Sequence, residues 1–325
     1  MVKAVVMHKT GGPEVLQLET YDPGPPGPGQ VRVRHEAIGV NYIDIYHRTG
    51  LYPLPRMPAV PGLEGAGIVQ AVGANVADLH VGDRVAYAGG PAGAYAQERL
   101  IPADRLVKLP DGIDSEQAAA MMLKGMTARF LLHGCYPVKK GDTLLIHAAA
   151  GGVGSILCQW AHYLGATVIG TVGSEEKAAY AVERGCDFPI LYRNEDFADS
   201  VKRITAGIGV DVVYDAVGQA TFMRSLSCIR PMGTLVSFGQ SSGVIPPFDI
   251  SLLAANGSLF LTRPSLMTYT ADRADLLAHA QDLFEVLLKG AVRVEINQRY
   301  ALKDAARAHA ALEARRTTGA SLLLP

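Results

Sequence analysis

The run at residues 143–154, TLLIHAAAGGVG, constrains the fold of this chain more than any other stretch. Residues 143–146 read as a buried parallel strand, which stops at Ala148, Ala149 and Ala150. Gly151, Gly152 and Gly154 then make a tight turn, and an amphipathic helix follows with Ile156, Leu157, Trp160 and Leu164 on its apolar side. Strand, glycine turn and helix in that order suit a dinucleotide pyrophosphate: small residues admit close approach, and the helix N-terminus offers free N–H groups and partial positive charge. The turn reads A-x-x-G-G-x-G rather than G-x-G-x-x-G, so the assignment needs support from its neighbours.

The neighbours alternate between strand and helix. Strands are predicted at 143–147, 167–172, 187–190, 211–214 and 232–238, with helices at 153–164, 175–184, 196–205 and 219–228. That pattern predicts an α/β fold with a doubly wound parallel sheet. A late strand at 257–262 and a helix at 271–289 continue it. Upstream, residues 1–110 hold short strand-like runs at 2–7, 15–18, 31–35, 67–72, 83–87 and 94–102, separated by Gly, Asp and Pro turns. Such a run predicts a compact, barrel-like β unit. Residues 114–132 read as a helix. The chain ends with a strand at 291–296, a helix at 303–313 and the β-like SLLL, which is expected to return to the first domain. The boundaries expected are 1–123, 124–265 and 266–325, with the middle domain inserted into the other.

A chain of 325 residues that is 49% hydrophobic supports more than one domain. A net charge of -1 with 19% charged residues gives no nucleic-acid footprint, and no basic cluster is interleaved with aromatics. No apolar run is long enough for a membrane span or a signal peptide core. Cys135, Cys158, Cys186 and Cys228 are isolated singles, so reduced thiols in a cytoplasmic protein are expected.

The second strand of the nucleotide fold ends in TVGS at 171–174. An NAD site places Asp or Glu there, about 20 residues beyond the first glycine, to bind the ribose 2′-OH. Here the tip carries no carboxylate, while Ser174, Lys177, Tyr192 and Arg193 are close in sequence. Those groups welcome a 2′-phosphate that a carboxylate would repel, which favours NADPH. Glu175 and Glu176 argue the other way, although they also suit a helix start, and Lys177 as a solvated helix residue remains the plain alternative.

The segments GVNYIDIYHRTGLYP (39–53), PGLEGAG (61–67), GDRV (82–85), LKGMTA (123–128), HAAAGGVG (147–154), VVYDAVG (212–218), TRPSL (262–266) and GASLLLP (319–325) form a recognisable set. With them the sequence resembles, over essentially its whole length, the bacterial quinone oxidoreductases of the zeta-crystallin type. These are the zinc-independent branch of the medium-chain dehydrogenase/reductase superfamily. The resemblance implies a GroES-like N-terminal domain, a Rossmann domain inserted before a C-terminal return, NADPH as cofactor and homodimers paired through the cofactor domains. It implies phosphate contacts at Gly173, Ser174, Lys177, Tyr192 and Arg315, and a nicotinamide end near Asn41, Phe238, Gly239, Ser241, Phe260, Thr262 and Arg263. Thr127 and the turn residues Gly151, Gly152, Val153 and Gly154 are expected to complete the cofactor site.

Zinc-dependent relatives place ligands at positions that match Asn41, Leu63 and Lys124, and their structural cysteines have no counterpart at 86–100. Leucine cannot ligate and a protonated lysine is a poor ligand, so no metal is expected. Without a Lewis acid, reducing a simple ketone is unfavourable, whereas a quinone is already electron-poor. Asn41, Tyr46 and Tyr52 are expected to shape the substrate site, with three tyrosines at 42, 46 and 52 offering a flat slot for a ring. Tyr42 packing into the core, Asp44 capping a helix and a solvent-facing His47 are the plainer alternatives. The expected function is NADPH-dependent reduction of quinones. Reduction of α,β-unsaturated carbonyls and non-enzymatic NADPH binding are the alternatives.

Overall fold

The computed structural model describes residues 1–325, which divide into two compact units. The first comprises Met1–Met126, Tyr269–Leu288 and Val294–Pro325, and the second Thr127–Thr268 and Lys289–Arg293. The boundaries thus fall at 126/127 and 268/269, with a short second crossing at 289–293.

In the first unit, β1 (Val2–Val6) pairs antiparallel with β2 (Gln17–Tyr21). Next come β3 (Gln30–Val40), α1 (Tyr42–Thr49), β4 (Glu64–Val72), β5 (Arg84–Ala88), β6 (Glu98–Pro102), β7 (Val107–Lys108) and α2 (Ser115–Phe130), whose residues from Thr127 onward belong to the second unit. The strand β3 alternates buried Val31, Val33 and His35 with Arg32 and Arg34. That period of two turns one face into a core of Val5, Met7, Ile38, Tyr87, Ile101 and Leu323. Of the expected strand at 94–102 only β6 forms. The backbone before it is committed elsewhere, with Tyr95 N–H donating to Pro61 O and Val5 N–H to Tyr95 O.

The second unit holds β8 (Thr143–Ile146), α3 (Gly152–Tyr163), β9 (Thr167–Val172), α4 (Glu175–Val182), β10 (Phe188–Leu191), α5 (Phe197–Ile204), β11 (Val210–Asp215), α6 (Phe222–Leu226), β12 (Ile229–Ser237), α7 (Ser251–Ala255), β13 (Phe260–Thr262) and α8 (Leu266–Tyr269). The sheet order is β10-β9-β8-β11-β12-β13, every pair parallel. Connections run outward in opposite directions from the β8/β11 junction, the topological switch point where a doubly wound sheet binds ligands. Leu145, Ile169, Val213 and Leu235 form its buried spine.

The chain then returns through α9 (Arg273–Leu288), β14 (Ile296–Ala301), α10 (Ala305–Glu313) and β15 (Ala320–Leu324). β15 pairs parallel with β14 and antiparallel with β3, giving a sheet ordered β14-β15-β3-β4-β5-β7 with β6 also on β3. The strand expected at 291–296 begins only at Ile296. Before it, the backbone of Arg293 is engaged by a side chain: its N–H donates to Gln159 Oε1 at 2.8 Å and its carbonyl accepts from Gln159 Nε2 at 3.0 Å. No helix is long and apolar enough to cross a membrane.

Candidate active site

The glycine turn is built on β9. Ala148 takes φ +55°, and Gly151 N–H closes back onto Ala148 O at 2.9 Å. Ala149 N–H donates to Thr171 O at 3.1 Å, and the buried Thr171 hydroxyl lies 3.0 Å from His147 Nδ1. Gly151 caps α3, while Gly152, Val153 and Gly154 form its first turn. A Cβ on Gly154 would lie 2.2 Å from Ala148 O, so only glycine lets the helix start this close beneath the turn. The first-turn N–H groups of α3 have no intrahelical acceptor, which suits an anionic ligand.

At the tip of β9 the structure brings together four of the residues expected at the phosphate. Ser174 caps α4 and its hydroxyl accepts from Lys177 N–H at 3.3 Å. A Cβ on Gly173 would meet the Tyr192 hydroxyl at 2.9 Å, so the phenol lies directly over the glycine. Glu175 and Glu176 are exposed in the first turn of α4, beyond the strand tip. Arg315 belongs to the first unit instead, where it stands at φ +56° past the end of α10 and its charge acts on Tyr42.

The loops after β11 and β12 are held by the fully buried Asp215. Its carboxylate accepts from Val217 N–H at 2.7 Å, Gly218 N–H at 3.1 Å and the Thr221 hydroxyl at 2.9 Å, while its backbone carbonyl accepts from Phe238 N–H at 2.9 Å. Gly239 packs against Ala216, where a Cβ would lie 2.5 Å from the carbonyl oxygen, and Ser241 N–H donates to Ala216 O. Arg263 reaches across the strand ends, its Nη1 donating to Gly239 O at 2.8 Å and Ser237 O at 3.0 Å. Thr262 pairs with Val236 on the edge strand β13. Phe260, at the start of that strand, is 64% exposed. Thr127 is buried on α2.

In the first unit Asn41 is the N-cap of α1 and is nearly fully buried. Its backbone N–H donates to Asp44 Oδ2 at 2.9 Å, so Asp44 does cap the helix. Its side-chain amide donates to Glu64 Oε2 at 2.7 Å. The same Glu64 oxygen takes Lys124 Nζ at 2.9 Å, and Oε1 takes Leu123 N–H at 2.7 Å. Tyr46 is buried between Tyr42 and Tyr52, with ring centroids 5.3 and 5.0 Å away in edge-on geometry. Tyr42 and Tyr52 are half-buried. Burial raises the Tyr42 pKa and lowers that of the partly buried His47.

A second set of buried groups lies behind α1 and was not legible as a cluster. Asp44 Oδ2 also accepts from the Tyr95 hydroxyl at 2.9 Å, and His309 Nε2 lies 2.9 Å from that same hydroxyl. Arg48, 1% exposed, donates to Glu313 Oε1 at 2.5 Å. Burial pushes the Asp44 carboxyl up to about 7, against the lowering effect of its hydrogen bonds from Asn41 and Tyr95. Burial, with the Arg48 charge, drives His309 down to about 3.

Two family models match the chain: "Alcohol dehydrogenase GroES-like domain" over residues 27–111 and "Zinc-binding dehydrogenase" over 152–279. A Pseudomonas aeruginosa quinone oxidoreductase is 51% identical over 325 residues, covering all of both chains. This chain belongs to the zeta-crystallin-like quinone oxidoreductase family. Within the family, the crystal structure of the Escherichia coli quinone oxidoreductase complexed with NADPH superposes with a TM-score of 0.98 at 47% identity, over 99% of this chain and 100% of that one. A 2-haloacrylate reductase from Burkholderia sp is 47% identical, covering 100% of this chain and 99% of its own length. The fold is the family's α/β pairing of a GroES-like β domain with a Rossmann domain.

The residues present do not fit zinc. Lys124 is committed as a donor to Glu64, Leu63 offers no lone pair, and no three His, Cys, Asp or Glu side chains converge on a metal position. They do fit NADPH. The glycine turn clears space for a pyrophosphate, and the β9 tip offers hydroxyl, ammonium and phenol groups with no carboxylate among them.

Proposed function

We propose that this protein reduces quinones with NADPH, without a metal ion. The observation that carries the reading is the buried Lys124–Glu64 pair at 2.9 Å. Lys124 matches a position where zinc-dependent relatives carry a ligand, and its commitment to Glu64 favours an acceptor that is already electron-poor. NADPH supplies a hydride and one solvent proton completes the reduction of quinone to hydroquinone.

The chain's own residues bind and orient. Gly151, Gly152, Val153 and Gly154 receive the pyrophosphate at the α3 N-terminus, and Ser174, Lys177 and Tyr192 receive the 2′-phosphate, with Arg315 as a further basic contact. Phe238, Gly239, Ser241, Thr262, Arg263 and Thr127 line the nicotinamide end. The family resemblance puts Phe260 there as well. Its exposure on an edge strand equally suits the proposed homodimer, in which that strand pairs with a second copy. Asn41 hydrogen-bonds the nicotinamide ribose or a quinone oxygen. Tyr46 and Tyr52 present ring edges to a flat substrate. Four free cysteines, three of them buried, fit the proposed cytoplasmic location.

A second reading is supported by the 2-haloacrylate reductase at 47% identity. The same hydride delivered to the β-carbon of an α,β-unsaturated carbonyl compound would leave an enolate for protonation. The test is NADPH oxidation with 1,4-benzoquinone, 9,10-phenanthrenequinone, an enone and 2-chloroacrylate. Quinone turnover is expected to exceed the others. Faster turnover of the enone or chloroacrylate would favour the second reading. NADPH binding with no turnover of any acceptor would leave only a binding protein.

A further inference from the structure

We propose that Glu64 is a positioning residue for Asn41. The inference rests on the reading of Asn41 as a contact to the nicotinamide ribose or the quinone.

Asn41 is clamped from two directions by two carboxylates. Asp44 takes its backbone N–H at 2.9 Å, and Glu64 takes its side-chain Nδ2 at 2.7 Å. The second contact, together with the capping box in which the Asn41 side chain faces the Asp44 backbone N–H, sets which way the amide faces. A flipped amide would turn Oδ1 toward Glu64 Oε2, lone pairs against lone pairs, so the carboxylate permits one orientation only. A charged acceptor enforces this more strongly than a neutral one.

The carboxylate is itself fixed. Glu64 opens β4 with 0% exposure, and its two oxygens receive donors from three places: the α1 cap, the α2 backbone at Leu123 and the Lys124 ammonium. Lys124, 5% exposed, supplies the countercharge that a buried carboxylate requires. The surrounding chain leaves room for this arrangement. A Cβ on Gly39 would lie 2.1 Å from Glu64 Oε2 and 2.4 Å from Ala119 O, so β3 carries no side chain where the carboxylate passes. The result is a preset amide whose remaining hydrogen-bonding capacity is aimed before any ligand arrives.

A purely structural Glu64 would affect stability alone, whereas a positioning Glu64 acts through Asn41. The test compares wild type, Asn41→Ala, the double variant Glu64→Leu/Lys124→Met and the triple variant. Replacing both partners by apolar side chains leaves no lone buried charge. Wild-type turnover of 9,10-phenanthrenequinone, measured first, tests the quinone reading by itself.

Given that turnover, Glu64→Leu/Lys124→Met is expected to lower kcat about tenfold, the scale of a misplaced contact group. The Kd for NADPH, from nucleotide fluorescence, should stay within about twofold, because the phosphate grip lies on other residues. The triple variant should be no slower than Asn41→Ala. Wild-type kcat in the double variant, or losses that multiply in the triple, would overturn the proposal. If circular dichroism shows the double variant unfolded, Gly39→Ala replaces it in the same comparison. That substitution presses a methyl on the carboxylate and removes no charge.

Discussion

Tyr95 and Asp44 meet at 2.9 Å in the interior of the first unit, the phenol donating to Asp44 Oδ2. Because that proton is committed, the contact between the phenol and His309 must run the other way, with Nε2–H donating to the Tyr95 oxygen at 2.9 Å. His309 is therefore the neutral tautomer protonated on Nε2, and its buried Nδ1 has no partner. The chain Asn41–Asp44–Tyr95–His309 joins the cap of α1 to α10 through residues far apart in sequence.

Two opposed pH dependences follow from this chain. His309 falls from 6.5 to about 3 on folding, so between those values the folded state binds one proton fewer than the unfolded and stability rises with pH. Asp44 rises from 3.8 to about 7, so its contribution is full below 3.8 and is lost as pH climbs through about 7. The stability advantage of wild type over His309→Gln should shrink by about 1.4 kcal/mol for each pH unit below 6.5. Urea unfolding from pH 4.5 to 7.5 measures it, and a difference that does not vary with pH counts against the assignment.

Lys177→Ala should raise the KM for NADPH about tenfold, the effect of losing roughly 1.4 kcal/mol of charge-assisted hydrogen bonding. KM for NADH should hardly move, since NADH lacks the 2′-phosphate. Equal changes for both cofactors would remove Lys177 from the phosphate site.

Gly154→Ala places a methyl 2.2 Å from Ala148 O, which neither backbone segment can yield without reshaping the turn. NADPH affinity should fall by more than about tenfold, with acceptor KM little changed. Isothermal titration reads the first and steady-state kinetics the second. Unchanged affinity would mean that the turn does not cradle the nucleotide.

Dialysis against a chelator should leave NADPH oxidation intact, because Lys124 is paired with Glu64 and no three ligating side chains converge on a metal position. Activity lost to chelator and regained with zinc would contradict this.

Phe260→Arg on the exposed end of β13 should convert the proposed homodimer to monomer. Sedimentation velocity distinguishes the two states, and a dimer that persists would place the interface elsewhere.

The doubly wound sheet was legible because its signals are local: TLLI, TVIGTV and the glycine turn each carry their own strand or loop chemistry within a few residues. Asp44 as a cap was legible for the same reason, three residues from Asn41. The strand expected at 291–296 failed because its backbone is satisfied by a glutamine 134 residues away, and no window of sequence contains that partner. The Asp44–Tyr95–His309 set was hidden likewise: its members sit 51 and 214 residues apart, each a common buried residue type on its own. Lys124 was visible, with Asn41 and Leu63, as a residue standing at a metal-ligand position. That it binds Glu64, 60 positions earlier in the chain, became readable only in the fold.

The pairing of β15 with β3 also sets a schedule on the ribosome. Along this edge Ile38, Gly39 and Val40 pair with Leu323, Leu322 and Ser321, more than 280 residues further along the chain. That edge of β3 must therefore wait, open, until the residues of β15 have been made. The parallel sheet has all its strands within 143–262 and emerges complete well before then. Vectorial synthesis thus favours closure of the inner sheet first, and makes the waiting β3 edge the point most exposed to mispairing or chaperone capture in a nascent chain.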